Sequence, residues 1–238
     1  MGIVGGGSYA EALVCHAEHL VRVPGELSWV DAAAIPEVFM TAHDALERLD
    51  VHANEWVLVH AVGSGVGTAA LQLISSRGAR CVGTSRTADK LERARAMGLE
   101  AGIDTAAEEL VPAVKKLTAG GAHAAVDLVG GKTFSATLKA MAPRGRVILV
   151  GLTGGLRAEV DLGVILSKRL RIEGTVLRAR SVEEKTRLTG SFTESVLPLF
   201  AAGLARPVVD CTFPLDEISN AHAHMESDAN FGKIVIAI

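Results

Sequence analysis

Trp56-Val-Leu-Val-His60, followed at once by Ala61-Val-Gly63-Ser64-Gly65-Val66-Gly67-Thr68, is the stretch on which the fold turns. The apolar run before His60 reads as a strand buried on both faces. Beyond the glycines, Val66, Ala69, Ala70 and Leu73 recur at helical spacing as far as Gly78. A buried strand that passes through a glycine turn into a helix points backbone N–H groups at whatever sits over the helix N-terminus, and an anion is stabilised there. The spacing Gly63-x-Gly65-x-Gly67 differs from the common G-x-G-x-x-G fingerprint, but the physics is shared. Glycines permit the tight turn and let a pyrophosphate approach the backbone. Gly63, Ser64, Gly65, Val66 and Gly67 are therefore candidate pyrophosphate-binding residues. A strand-to-helix corner with no ligand is the competing reading, and the surroundings of the turn count against it.

Outward from the turn, strands and helices alternate. Arg80 to Thr84 reads as a strand, Asp89 to Gly98 as a charged helix ended by glycine, Ala101 to Asp104 as a strand and Glu108 to Thr118 as a helix. Ala124 to Leu128, Lys132 to Met141 and Arg146 to Val150 repeat the pattern. Such alternation means βαβ units, and right-handed crossovers place helices on both faces of a parallel sheet. The expected fold is α/β, a Rossmann-type doubly wound parallel sheet. Arg169 to Leu177 is expected as a sixth strand at the sheet edge. Its Leu170, Ile172 and Val176 make an apolar edge that predicts pairing with a second copy, a homodimer.

The flanks are less regular. Ser8 to Val14 reads as a strand in a glycine-rich region. Ser28-Trp-Val-Asp31 reads as a capping box opening a helix that Pro36 interrupts and that resumes to about Leu49. Glu183 to Gly203 reads as a helix that Pro198 bends or shortens. Strand Val208 to Phe213, helix Asp216 to Met225 and strand Lys233 to Ile238 close the chain.

The end of the second strand bears on the choice of dinucleotide. An acid there would bind the adenosine ribose of NAD. Here the segment is Gly83-Thr-Ser85-Arg86-Thr-Ala-Asp-Lys90. Hydroxyls and cations suit a 2′-phosphate, so Ser85, Arg86 and Lys90 favour NADP(H) over NAD(H). Asp89 is the competing carboxylate and falls inside the next helix; solvated surface charge is the alternative for Arg86 and Lys90.

Composition sets the outer bounds. Of 238 residues, 49% are hydrophobic and 21% charged, enough for a real core and unlike a disordered chain. A formal net charge of −3 offers no electrostatic reason for nucleic acid or an anionic membrane as partner. The run from Met1 to Gly7 lacks the basic residues and long apolar core of a signal peptide, and no stretch approaches the roughly 18 apolar residues of a membrane span. Cys15, Cys81 and Cys211 are odd in number and widely spread, so they form no disulfide framework, and a reducing cytoplasm is expected. No metal site is expected. Cys15, His16 and His19 lack a matching second pair, and His222 and His224, two apart on a helix, point to different sides. Ser64 in Gly-Ser-Gly is not a nucleophile elbow, because no histidine and acid pair accompanies it.

Taken in order, Gly7-Ser-Tyr-Ala-Glu11, Ala33-Ala-Ile-Pro-Glu37 with Thr41-Ala42, Ser64-Gly-Val-Gly-Thr68, Asp127-Leu-Val-Gly-Gly131, Gly151-Leu-Thr-Gly154, Leu177-Arg-Ala-Arg-Ser181 and Phe231-Gly-Lys-Ile-Val235 are familiar. The chain resembles the medium-chain dehydrogenase/reductases in their zinc-independent quinone oxidoreductase branch. The resemblance implies that Thr41 lies beside the nicotinamide and that Val129 and Gly130 form a loop close to the cofactor. It also implies that Gly151 and Leu152 approach the carboxamide, and that Phe231, Gly232 and Lys233 close over the cofactor. Turn glycines at Gly130 and Gly151 and an edge charge at Lys233 are the plain alternatives. Where close relatives carry a tyrosine toward the 2′-phosphate, this chain has Thr105, a departure that weighs against NADP.

A second departure is larger. The family begins with a GroES-like substrate domain, and most of it has no counterpart here. Residues 1–35 are expected as a remnant of that β domain, 36–205 as the NADP-binding Rossmann domain and 206–238 as a segment returning toward the substrate domain. Met1 then stands as a misassigned start, a truncation or a real short form. If it is the true start, Tyr9, Leu13, Val38 and Phe39 are expected to be partly exposed. The implied activity is NADPH-dependent reduction of quinones or related activated enones and carbonyls, with no acid or base residue assigned. The alternative is a non-catalytic NADPH-binding module or an inactive fragment.

Overall fold

The computed structural model describes residues 1–238. β1 (Trp56–Val59) forms where the apolar run predicts it, with all four residues buried. Around it β2 (Arg80–Ser85), β3 (Ala101–Asp104), β4 (Ala122–Asp127), β5 (Met141–Leu149) and β6 (Arg171–Gly174) build a six-stranded sheet in the order β3-β2-β1-β4-β5-β6. Every pairing is parallel. Before β1 come α1 (Trp29–Ala33) and α2 (Pro36–Arg48). α3 (Gly65–Ser76), α4 (Ala88–Arg95), α5 (Leu110–Leu117), α6 (Gly131–Ala140) and α7 (Leu162–Lys168) link successive strands. After β6 come α8 (Val182–Ser195), α9 (Leu197–Ala201), β7 (Val209–Pro214), α10 (Ile218–Glu226) and β8 (Lys233–Ala237).

The chain divides into two compact units. The sheet unit comprises residues 44–63 and 70–175; the other comprises 1–43, 64–69 and 176–238. Within the sheet unit, one face is sealed by a cluster that joins Leu58, Val82, Ile103, Ala125 and Val147 to Val114 of α5 and to Phe134 and Leu138 of α6. Val164 and Ile165 of α7 pack against the same cluster. The opposite face carries α4. Gly83 and Gly102 lie there, and a Cβ on Gly102 would come within 3.2 Å of Leu91. Alternate strand residues thus meet helices on opposite sides, which makes the sheet doubly wound. Each large apolar side chain buried this way contributes about 1.5–3 kcal/mol. No helix of the structure is long and apolar enough to cross a membrane.

In the other unit β7 and β8 pair in parallel. Phe39 of α2 and Phe200 of α9 stack edge to face at 4.9 Å between ring centres. His43 Nε2 and Ser191 Oγ bond at 2.8 Å. The cap expected at Ser28 is made, and the structure adds a second at the start of α8. Ser28 Oγ accepts from the Asp31 N–H, and Ser181 and Glu184 form a full capping box at the start of α8. The helix expected over 183–203 breaks at Val196, and Pro198 sits in the first turn of α9, where its missing N–H costs nothing.

Several features depart from the expectations. Ser8 to Val14 is not a strand; the segment turns without a ladder partner, and an unpaired extended segment has no hydrogen bonds to hold it. Its Tyr9, Leu13 and Val14 are exposed, whereas Val38 and Phe39 are buried. The sixth strand is four residues rather than Arg169 to Leu177, because Arg169 takes a left-handed conformation to end α7 and so cannot begin a ladder. α7 itself was not expected, since Gly163 and the β-branched Val164 and Ile165 are weak helix formers. Asp161 caps it by accepting from the Gly163 N–H at 2.8 Å. Finally, β5 starts at Met141, five residues before the apolar run, through a register shift against β4.

Candidate functional site

The strand order reverses between β1 and β4, so neighbouring crossovers leave in opposite directions and open a crevice beyond the strand C-termini. In the sheet unit that edge is built from five strand ends. After β1, the buried His60 bonds through Nδ1 to Thr84 Oγ1 at 3.0 Å and through Nε2 to Thr137 Oγ1 at 2.8 Å. Burial lowers its pKa, against the opposing pull of the Asp127 charge, so the ring stays neutral and acts as a brace between β2 and α6. Ala61 then takes φ +48° and turns the chain toward Gly63.

At the end of β2, the Ser85 carbonyl accepts from the Thr105 N–H at 2.9 Å and from its Oγ1 at 3.1 Å. Ser85 Oγ accepts from the Thr87 N–H. Ser85 and Thr105 are thus brought together, with the exposed Arg86 one residue on and Lys90 in the first turn of α4. Asp89 belongs to that helix turn and not to the strand end.

The loops after β4 and β5 pack backbone on backbone. Asp127 Oδ1 accepts from the N–H groups of Val129 at 2.9 Å and Gly130 at 2.8 Å. Its carbonyl accepts from Val150 at 2.8 Å and Gly151 at 3.3 Å. A Cβ on Gly151 would lie 2.6 Å from the Leu128 carbonyl oxygen, and one on Gly131 would lie 2.3 Å from that of Gly154. Gly130 and Gly131 also hold φ of +64° and +55°, a region costly for other residues. The glycines at Gly130 and Gly151 are therefore required by the approach of two loops, which also places Val129 and Leu152 at this edge. Asp127 is buried, and its Oδ2 has no hydrogen-bond partner. Neither His60 nor Asp127 was singled out as a site residue from the sequence. Asp127 had a signal, the Asx-turn pattern Asp-x-x-Gly.

The other unit holds the remaining candidates. Ser64 caps α3: its Oγ accepts from the Gly67 N–H at 3.1 Å and its carbonyl from Thr68 at 2.8 Å. The N–H groups of Gly65 and Val66 come first in the helix and have no carbonyl four residues back within it. This is the donor arrangement a pyrophosphate needs, so the residues fit the expected group. Ser64 forms a parallel bridge with Gly232. Gly232 has φ +90°, and a Cβ there would sit 2.3 Å from the Val208 carbonyl oxygen. The Lys233 N–H bonds that same carbonyl at 2.7 Å. A Cβ on Gly65 would meet Val38 Cγ1 at 2.8 Å and Lys233 Cδ at 2.9 Å. Lys233 Nζ lies 3.7 Å from Glu37, whose carbonyl accepts from Thr41 Oγ1 at 2.5 Å. Phe231 is buried beside these residues, and its N–H donates to Asp210 Oδ1 at 3.0 Å. The structure thus brings Ser64, Gly65, Gly232 and Lys233 together, with Thr41 one helical turn from Glu37.

Comparison with known proteins agrees with this architecture. A family model described as zinc-binding dehydrogenase matches residues 65–191. Quinone oxidoreductase-like protein 2 of Bos taurus is 27% identical across 100% of this chain and 69% of its own length. The quinone oxidoreductase of Thermus thermophilus, solved alone and with NADPH, superposes with a TM-score of 0.89 at 28% identity, covering 100% of this chain and 76% of that one. An NAD-dependent alcohol dehydrogenase superposes with a TM-score of 0.84 at 32% identity, covering 98% and 65%. The chain spans about two thirds of the length of such relatives. A match over more than half the chain, on a sheet of this order with a glycine turn at its switch point, makes the chain a member of the zinc-binding dehydrogenase family, among the quinone oxidoreductase-like medium-chain dehydrogenase/reductases.

Proposed function

We propose that this chain binds NADP(H) and serves hydride transfer to a quinone or a related activated enone or carbonyl. The observation that carries the proposal is the capped start of α3: Ser64 takes the Gly67 N–H and leaves those of Gly65 and Val66 for a pyrophosphate. The similarity to quinone oxidoreductase-like relatives supports the substrate class. Ser85, Arg86 and Lys90 support NADP(H), since no acid ends β2 and a 2′-phosphate gains charge-assisted bonds from such groups. Thr105, held against the Ser85 carbonyl, lines the same strand ends.

When bound, a reduced nicotinamide supplies the hydride, and the protein supplies orientation and exclusion of water. Gly63, Ser64, Gly65, Val66 and Gly67 hold the pyrophosphate. In the sheet unit Val129, Gly130, Gly151 and Leu152, stiffened by the Asp127 turn, present backbone groups for the nicotinamide half, and in the other unit Thr41 is the residue that the family resemblance assigns to the nicotinamide. Phe231, Gly232 and Lys233 cover the cofactor. The protein acts as a homodimer through the outer edge of β6, which pairs only with β5 and exposes Ile172.

The test is steady-state oxidation of NADPH by simple ortho- and para-quinones, followed by the loss of reduced-nicotinamide absorbance, beside calorimetric titration with NADPH. Binding with turnover is expected. Tight binding without turnover would reduce the chain to an NADPH-binding module, and absence of binding would remove the proposal altogether.

A further inference from the structure

β7 does not alternate as a regular strand does. Val209 pairs with Lys233 and Cys211 with Ile234, so two residues of β7 advance against one of β8, and Asp210 is the extra residue of a bulge. Successive side chains of a regular strand point to opposite faces. Here the bulge lets Asp210 and Cys211 converge, and α10 delivers His224 to the same place. The ligand atoms of all three lie within 4.8 Å of one another. His224 Nε2 and Asp210 Oδ2 are 2.8 Å apart. The Cys211 thiol bonds the same carboxylate, whose other oxygen, Oδ1, accepts from the Phe231 N–H.

A nucleophilic Cys–His–Asp arrangement does not fit this order. The imidazole faces the carboxylate rather than the sulfur, so it is not placed to activate the thiol as a nucleophile. What the three side chains do share is a common point on which their sulfur, nitrogen and oxygen converge. We propose that Asp210, Cys211 and His224 form a three-ligand site for a divalent cation of the zinc class, outside the dinucleotide-binding residues.

The donor set selects the ion. One sulfur, one imidazole nitrogen and one carboxylate oxygen suit zinc, with water in the fourth position, whereas magnesium and calcium demand oxygen shells. The charges balance: a carboxylate and a thiolate neutralise a doubly charged ion, and the imidazole ligates as the neutral form. On binding, the thiol proton leaves to solvent. Nε2 gives up its place beside Oδ2, and the ring proton resides on Nδ1. Oδ1 keeps the Phe231 N–H, so the ion ties β7, α10 and the segment before β8 into one unit.

The experiment uses the full 238-residue chain and titration with cobalt(II), a spectroscopic stand-in, followed by displacement with zinc. A thiolate-to-cobalt charge-transfer band in the near ultraviolet is expected, reversed by zinc, with release of about one proton per ion from the thiol, read by calorimetry in buffers of different ionisation heat. Cys211→Ser should abolish the band, and His224→Gln should weaken zinc binding by at least roughly tenfold. Cys15→Ser should leave both unchanged. No band in the native chain, a band that survives Cys211→Ser, or one lost in Cys15→Ser would overturn the proposal. Should Cys211→Ser fail to fold by circular dichroism, an unchanged zinc affinity in His224→Gln decides against the site. None of these readouts involves the nicotinamide cofactor, so they stand apart from the proposed reductase activity.

Discussion

Arg86 follows the last residue of β2 and is exposed, in a position to reach a 2′-phosphate that NAD lacks. Arg86→Ala should therefore weaken NADPH and spare NADH. A charge-assisted bond contributes about 1.5–3 kcal/mol, so the preference should fall by roughly ten- to a hundredfold. Titration of both cofactors by calorimetry or by the fluorescence of Trp29 and Trp56 reads this directly, and equal affinities in the native chain would end the NADP assignment. Asp127 has a different job. Its Oδ1 ties the N–H groups of Val129 and Gly130. Asp127→Ala leaves these donors without their acceptor, at an expected loss of about 1–3 kcal/mol in denaturant unfolding. Asp127→Asn keeps an acceptor oxygen and should cost less. A variant pair of equal stability would show that the turn holds without the side chain. The bonded oxygen was legible in the pattern Asp-x-x-Gly. The buried, unpartnered Oδ2 was not, because it depends on what surrounds the strand end.

At the scale of elements, the start of α3 is less simple than its glycines suggest. Read as sequence, Gly65 leaves room for a pyrophosphate and nothing else. In the structure the space beside it is also bounded by Val38 and Lys233. Gly65→Val should abolish NADPH binding and also lower the melting temperature, because overpacking costs about 1–3 kcal/mol. Affinity retained in a folded variant would show the turn to be structural only. The entry to β1 is fastened by another long-range pair: Arg146 of β5 bonds Glu55 at 2.5 Å. Burial works to raise the Glu55 pKa, but the bonds from Arg146 and the His52 N–H outweigh it, and the net shift is downward. A carboxyl with a lowered folded pKa adds stability above its unfolded pKa and loses it as pH falls through the folded value. Glu55→Gln should therefore be less stable than the native chain near neutrality, by about 1–3 kcal/mol. The difference should shrink to nothing in acid below the carboxylate range. Thermal melts across pH check it, and a difference independent of pH would assign the loss to packing instead.

For the whole molecule, the sheet ends at β6, a four-residue strand with one side unpaired within the chain. Of the three apolar residues read from the sequence as an exposed edge, Leu170 packs onto the sheet core, while Ile172 and Val176 are exposed. A second copy covering this edge is the expected state. Light scattering at micromolar concentration should report a dimer, and Ile172→Lys should shift it to monomer without changing the unfolding midpoint of the monomer. A native chain that stays monomeric would refute edge pairing.

What the sequence alone determined is local in origin. The apolar run of β1, the 3.6-residue spacing of α3 and the cap at Ser28 are set by neighbours a few residues away. Their alternation along the chain was enough to imply a doubly wound parallel sheet. Tertiary structure decided whatever depends on residues far apart. Ser8 to Val14 has the residues of a strand and no partner to pair with. The loops of Gly130 and Gly151 are glycine-rich because each backbone lies against the other. Asp210 and His224 meet through a bulge whose register is set by Lys233 and Ile234. Periodicity reports which face of an element is apolar. It carries no record of which backbone will approach it, and that approach is where these glycines, the bulge and the buried carboxylate acquire their roles.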